Sequence, residues 1–203
     1  MFAKNNDLHG SVPDKGRVAL LLIDLINDFE YPGGADLFAQ AMPTAERILA
    51  LKLQARRAGI PVIYVNDNFG KWRSDFRKLV AHCLEDTVRG EPLARLLKPD
   101  DEDYFVLKPK HSAFFSTTLD LLLQYLKANT LILTGLSGDM CVLFTASDAY
   151  MRDLHLVVPA DCVASIEPQA NCLALEQMRR LFQADIRPST EHDLEVLMQK
   201  AHR

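Results

Sequence analysis

The chain has 203 residues, 25% of them charged and 48% hydrophobic, with a formal net charge of −4. That length suits one domain with a substantial core, and the acidic balance, without any basic stripe interleaved with aromatics, argues against nucleic acid as a partner. The longest apolar runs fall far short of the ~20 residues that span a bilayer, so no membrane role is expected.

Residues 1–16, MFAKNNDLHGSVPDKG, are polar and lack the apolar centre of a secretion signal. They read as a surface arm ahead of a domain over 17–203. The four cysteines, Cys83, Cys141, Cys162 and Cys172, form neither a CxxC pair nor a zinc spacing. A reducing cytoplasm is the simplest location. Cys162 and Cys172 read as structural, and Cys83, in a polar helical stretch, as partly exposed.

The first strand is expected at 17–23, where the run VALLLI stops at Asp24. Such an unbroken hydrophobic run marks a parallel strand buried on both faces. A loop with Pro32, Gly33 and Gly34 follows, then a helix over 43–59 with proline near its start and Gly59 just past its end. PVIYVN (61–66) is the second strand, followed by a polar, partly helical stretch from Trp72 to Leu84. YFVL (104–107) is the third strand, with a helix over 117–128, and 130–134 is the fourth, with a helix over 141–152. A fifth strand at 155–159, a helix over 168–183, a short sixth strand ADIRP (184–188) and a last helix at 190–201 complete the pattern. Strands alternating with helices imply an α/β fold. The expected architecture is a single-domain, doubly wound, Rossmann-like three-layer sandwich around a six-stranded, mostly parallel sheet. No GxGxxG follows the first strand and no GxxxxGK[ST] occurs, so neither NAD-linked chemistry nor P-loop hydrolysis is expected, and no cofactor is assigned.

Three residue types with chemistry stand at or just beyond strand ends. Asp24 closes the first strand, Lys108 closes the third, and Cys141 follows the turn after the fourth. In a parallel sheet those ends share one edge, where open α/β sheets bind ligands. Each has a plainer reading: a turn acceptor for Asp24, a solvated side chain for Lys108, and a small core residue for Cys141. Cys141 sits at an expected helix start, where outward N–H groups and the dipole favour thiolate and can hold an oxyanion.

LLIDLINDF (21–29), KPKHSAFFSTTL (108–119), TGLSGDMCVLFTASDA (134–149) and VVPADCVAS (157–165) together resemble, in order and spacing, the isochorismatase-like cysteine hydrolase superfamily, which includes nicotinamidases and N-carbamoylsarcosine amidase. The resemblance covers about residues 17–187. It implies a catalytic triad of Asp24, Lys108 and Cys141, a cis peptide at Leu136–Ser137, and an oxyanion hole formed by the amides of Ser137 and Cys141. It also implies cleavage of a C–N bond in a small amide, carbamoyl or ureido compound through a thioester, and a homodimer or larger homo-oligomer. A non-amide substrate, a binding module and a redox-sensing thiol are the alternatives. Family nicotinamidases hold a divalent ion with Asp-x-His and a further histidine. Asp67 matches that aspartate, but Phe69 stands in the histidine's place, so no metal is expected. Phe29, Asn68, Phe69, Trp72, Arg73 and His111 are the candidate substrate contacts. Phe69 and Trp72 could stack on a planar or apolar group, and Arg73 could pair with a carboxylate. The loop after the second strand could equally pack on its own domain or on a second subunit, and His111 could be a solvated loop residue.

Overall fold

The computed structural model describes residues 17–69 and 75–201, with the side chain of Lys200 excepted. β1 (Val18–Ile23) is buried along its whole length. Its alternate side chains face opposite ways. Val18, Leu20 and Leu22 enter one core, while Ala19, Leu21 and Ile23 enter the other. A strand buried on both faces needs strands on both edges and helices on both sides. β1 accordingly pairs in parallel with β2 (Val62–Asp67) on one edge and with β4 (Thr130–Leu136) on the other. β3 (Tyr104–Lys108) extends the sheet beyond β2. β5 (His155–Val157) and β6 (Val163–Ala164) pair with the first and second halves of β4 in turn. The order is β3-β2-β1-β4-β5, all parallel, with the change of winding direction between β1 and β4.

One face is covered by α1 (Gly34–Arg57), α2 (Phe76–Glu85), α3 (Glu91–Leu96) and α7 (Leu194–Ala201). The other is covered by α4 (Leu119–Leu126), α5 (Leu143–Tyr150) and α6 (Pro168–Leu181). The result is the expected three-layer α/β sandwich. Among the described residues no helix is long and apolar enough to cross a membrane.

The structure departs from the sequence-based reading in several places. α1 starts nine residues earlier than expected and carries Pro43 in its interior. Proline removes one helical hydrogen bond, but the buried row Leu37, Ala41, Ala45, Ile48, Leu51, Ala55 runs through it at helical spacing, and packing of that row outweighs the lost bond. α3 was not expected, because six residues are too few to show a period; Pro92 in its first turn is its sequence signal. ADIRP does not form a full strand. Asp185 makes a single bridge to Val157, after which the Arg187 amide turns back onto Asp185 Oδ1 at 3.2 Å and Pro188 has no donor to continue a ladder. The sixth strand is instead Val163–Ala164. Finally, Cys83 is fully buried and Cys172 is the exposed cysteine.

Gly135 decides how closely β4 can approach β1. It has φ of 112°, and a Cβ there would lie 2.1 Å from the carbonyl oxygen of Ile23. The obstacle is backbone in the central strand, so it cannot swing aside. Gly135→Ala is expected to destabilise the protein by on the order of 2–3 kcal/mol through the forced backbone conformation, measured by urea unfolding. A variant within about 0.5 kcal/mol of the parent, the usual scatter of neutral surface changes, would show that the β1–β4 contact tolerates a side chain.

Candidate active site

The C-terminal ends of β1, β3 and β4 bring three side chains together. Asp24 leaves β1 with φ of 53°, a left-handed conformation that aspartate adopts more readily than most residues. Its own amide still donates to Val65 O at 2.8 Å, and its Oδ1 accepts the Asp67 amide at 2.7 Å. Lys108 ends β3 in register with Asp67 and its side chain is wholly buried. Its Nζ lies 2.8 Å from Asp24 Oδ2, 3.7 Å from Asp67 Oδ2 and 3.4 Å from Cys141 Sγ. Beyond burial, the Asp24 charge acts on the Cys141 thiol and raises its proton affinity. Carboxylate and thiol therefore meet at the one ammonium, and the three groups form a triangle.

Cys141 belongs to a π-helical turn, Gly138–Val142, that precedes α5. The sequence-based helix start at 141 is corrected accordingly: α5 begins at Leu143. The turn is anchored from within and from the segment between β6 and α6. The amides of Met140 and Val142 both donate to Ser137 O at 3.1 Å. Ser137 Oγ and Asp139 Oδ1 are hydrogen-bonded, and the Asp139 amide donates to Ser165 Oγ at 3.0 Å. Gly138 has no room for a side chain, since a Cβ would fall 2.0 Å from Asn171 Oδ1. The Leu136–Ser137 peptide is cis, as the resemblance implied.

Above the triangle lies a cavity of about 500 Å³, within the usual range of small-molecule sites. Asp24 and Cys141 form part of its floor, with Leu136, Ser137, Asp139 and Met140 from the nucleophile turn beside them. Asn27 and Tyr31 from the loop after β1, Asp67 and Phe69 after β2, His111 after β3, Ile166 after β6, and Leu37 of α1 complete it.

The family model for the Isochorismatase domain matches residues 18–190. The chain belongs to the isochorismatase family. It is 41% identical to the uncharacterized isochorismatase family protein YaaI of Bacillus subtilis over 172 residues, covering 85% of this chain and 94% of that one. Over 157 residues it is 32% identical to maleamate amidohydrolase of Pseudomonas putida, covering 71% of each. Among solved structures, N-carbamoylsarcosine amidase from Thermoplasma acidophilum superposes with a TM-score of 0.65 at 29% identity, covering 87% of this chain and 98% of that chain. The protein is thus an isochorismatase-family hydrolase whose relatives include amidohydrolases.

The candidate contacts of this hydrolase separate into three groups. Phe69 and His111 line the cavity, and His111 Nδ1 lies 3.8 Å from Cys141 Sγ with its ring 5.7 Å from that of Phe144. Phe29 does not line it. It is fully buried and packs against Phe38 and Tyr31, because the chain turns back at φ of 57° and delivers Tyr31 to the cavity instead. Asn68 is also buried outside the lining, with its amide donating to Lys108 O at 3.0 Å. Trp72 and Arg73 lie outside the described residues. Asn27, Tyr31, Asp139, Met140 and Ile166 were missed from the sequence, although each follows a strand end, which is the available signal. Leu37, contributed from α1, has no such signal. Asp67 was considered only as a metal ligand. Its Oδ1 accepts the Phe69 amide at 2.6 Å and its Oδ2 faces Lys108, while no imidazole stands where the nicotinamidase pattern needs one. The donor set here does not fit that ion. Among the described residues no group of three or more histidine, cysteine, aspartate or glutamate side chains is arranged to hold a metal.

The protonation state of the thiol corrects the expectation of a depressed cysteine pKa. Burial and the neighbouring Asp24 carboxylate push Cys141 from an ordinary 9.0 up to about 12, against the opposing pull of Lys108. A helix terminus contributes about 0.3–1 kcal/mol, less than the roughly 1.4 kcal/mol that changes proton affinity tenfold, so burial prevails. Burial also raises the Asp24 carboxyl above its usual 3.8, with Lys108 pulling it down. The Lys108 ammonium, despite burial, is held above its usual 10.5 by the Asp24 charge. At rest the site holds a thiol beside a carboxylate of increased proton affinity.

A sign follows for Asp24→Asn. The change removes the charge that keeps the thiol protonated but leaves the ammonium beside Sγ. The Cys141 pKa should fall, and alkylation by iodoacetamide at pH 8 should accelerate more than tenfold relative to the parent. Slower alkylation in a folded Asp24→Asn protein would mean that Asp24 generates thiolate even in the resting site.

Proposed function

We propose that this hydrolase cleaves the C–N bond of a small amide, carbamoyl or ureido compound through a thioester on Cys141. The observation that carries the reading is the buried Lys108 ammonium, 2.8 Å from Asp24 and 3.4 Å from the Cys141 sulfur, beneath the floor of a substrate-sized cavity. The amidohydrolase relatives support the same bond type.

The steps follow from the residue types. Asp24 takes the Cys141 proton as general base, and its burial-raised proton affinity brings it closer to that of the thiol. The sulfur attacks the carbonyl carbon as the proton leaves. Lys108 stays charged throughout and offsets the negative charge as it passes between sulfur and carboxylate. The tetrahedral oxyanion is assigned to the backbone amides of Ser137 and Cys141, which belong to the turn carrying the nucleophile. Collapse breaks the C–N bond, and protonated Asp24 returns its proton to the leaving nitrogen, which departs as ammonia or an amine. Water, deprotonated by Asp24, then attacks the thioester. The acid leaves, the proton returns to sulfur, and the net reaction consumes one water. His111, at the cavity rim near the sulfur, is assigned to substrate contact. No step requires a cofactor.

Ammonia release from a panel of small primary amides, carbamoyl and ureido compounds tests the reading. The parent should turn over at least one class, and Cys141→Ala should lose at least about 10³-fold, the scale on which a covalent nucleophile acts. Equal release by both proteins would rule out the thiol mechanism. The kcat/KM profile should rise with pH through a limb above 3.8, because Asp24 must be ionised to act and burial shifts its titration upward. A limb at or below 3.8 would exclude Asp24 as the base.

A further inference from the structure

The cavity wall carries information about the substrate beyond its reacting bond. Phe69, Met140 and Ile166 are 43%, 42% and 40% exposed, and all three converge on the same cavity above Cys141. Leu37 and Leu136 continue that surface, and the Tyr31 ring adds to it. Apolar side chains converging on a concave site are accounted for when the occupant is itself apolar.

The charges agree. Three carboxylates, Asp24, Asp67 and Asp139, line the cavity. Among the described residues no lysine or arginine does. Lys108 lies beneath the floor, with its ammonium against Asp24. A bound carboxylate would meet like charge there and, among the described residues, no free cationic partner. Among the described residues Asn27 is the wall's one neutral side-chain amide, and it is already engaged, Oδ1 by the Phe29 amide at 2.9 Å and Nδ2 by Tyr31 Oη at 3.3 Å.

We infer that the part of the substrate outside the scissile group is uncharged and apolar, an aryl or branched-alkyl acyl group, held against Leu37, Phe69, Met140 and Ile166. The inference rests on the amidohydrolase reading above and narrows it to amides of the form R–CO–NH2 with R a hydrocarbon, hydrolysed with one water to R–COO⁻ and ammonium.

Aldehydes of the same R groups test this without turnover. An aldehyde adds reversibly to the thiol: a C–S bond forms, the thiol proton goes to the carbonyl oxygen, and nothing leaves. Cyclohexanecarbaldehyde, benzaldehyde, methyl 4-formylbenzoate and 4-carboxybenzaldehyde would each be titrated as protectants of Cys141 against iodoacetamide, read by peptide mass. The uncharged aldehydes should bind at least tenfold more tightly than 4-carboxybenzaldehyde, with the methyl ester as its size-matched control. Ile166→Asp should weaken the uncharged set at least tenfold relative to the parent. Equal or tighter binding of 4-carboxybenzaldehyde would overturn the substrate class alone, and loss of that advantage in Arg73→Ala would identify the anchor. If no aldehyde protects Cys141, the nucleophile assignment fails and the inference with it.

Discussion

The site depends on a single buried charge. An ammonium placed where Lys108 lies would cost several kcal/mol if it were alone. It is tolerated because Asp24 lies 2.8 Å away and Asp67 3.7 Å away, and because Asp24 is held in turn by the Asp67 amide. Removing one member of such a pair leaves the other charged and desolvated, which commonly costs 3–5 kcal/mol. Stability and chemistry are therefore coupled in the same atoms. The contact that keeps Lys108 charged in the interior also holds the base beside the thiol.

That arrangement needs register as well as residue type. Lys108 reaches Asp24 only because β3 pairs with β2 at Asp67↔Lys108 while β2 pairs with β1 at Val65↔Ile23. A slip of one residue would turn the lysine to the other face of the sheet. The long hydrophobic runs resist such a slip, since β1 is buried on both faces. Cys141 is delivered from the other side of β1, across the change of winding direction, by a turn tied to Ser165 and packed on Asn171. The cavity opens where the two halves of the winding diverge, the usual ligand position in open α/β sheets.

Much of this was legible in the residues. VALLLI, VIYVN and LILTG read as buried parallel strands because nothing polar interrupts them, and Asp24, Lys108 and Cys141 stood out because each ends or follows such a run. What was hidden had physical reasons. The start of α1 was obscured by Pro43, a local signal overridden by the packing of a long apolar row. ADIRP had strand-like composition but lacked the donors to propagate a ladder. Phe29 looked like a pocket aromatic from its place after β1, yet a left-handed turn sends it into the core and Tyr31 outward. Cys141 read as thiolate from its place near a helix start, whereas burial and Asp24 hold it protonated.

The order of hydrophobic runs, the turn residues and the identities of acid, cation and thiol are properties of the chain itself, since periodicity and side-chain chemistry act over short distances along it. They determined the fold class and the three groups from which a mechanism can be built. The distances among those groups, the protonation of the sulfur, and the convergence of Phe69, Met140 and Ile166 on one wall were decided only by the tertiary structure. Each depends on desolvation and on contacts between segments far apart in sequence, such as β1, β3 and the turn after β4, and neither quantity exists until the sheet has closed around β1.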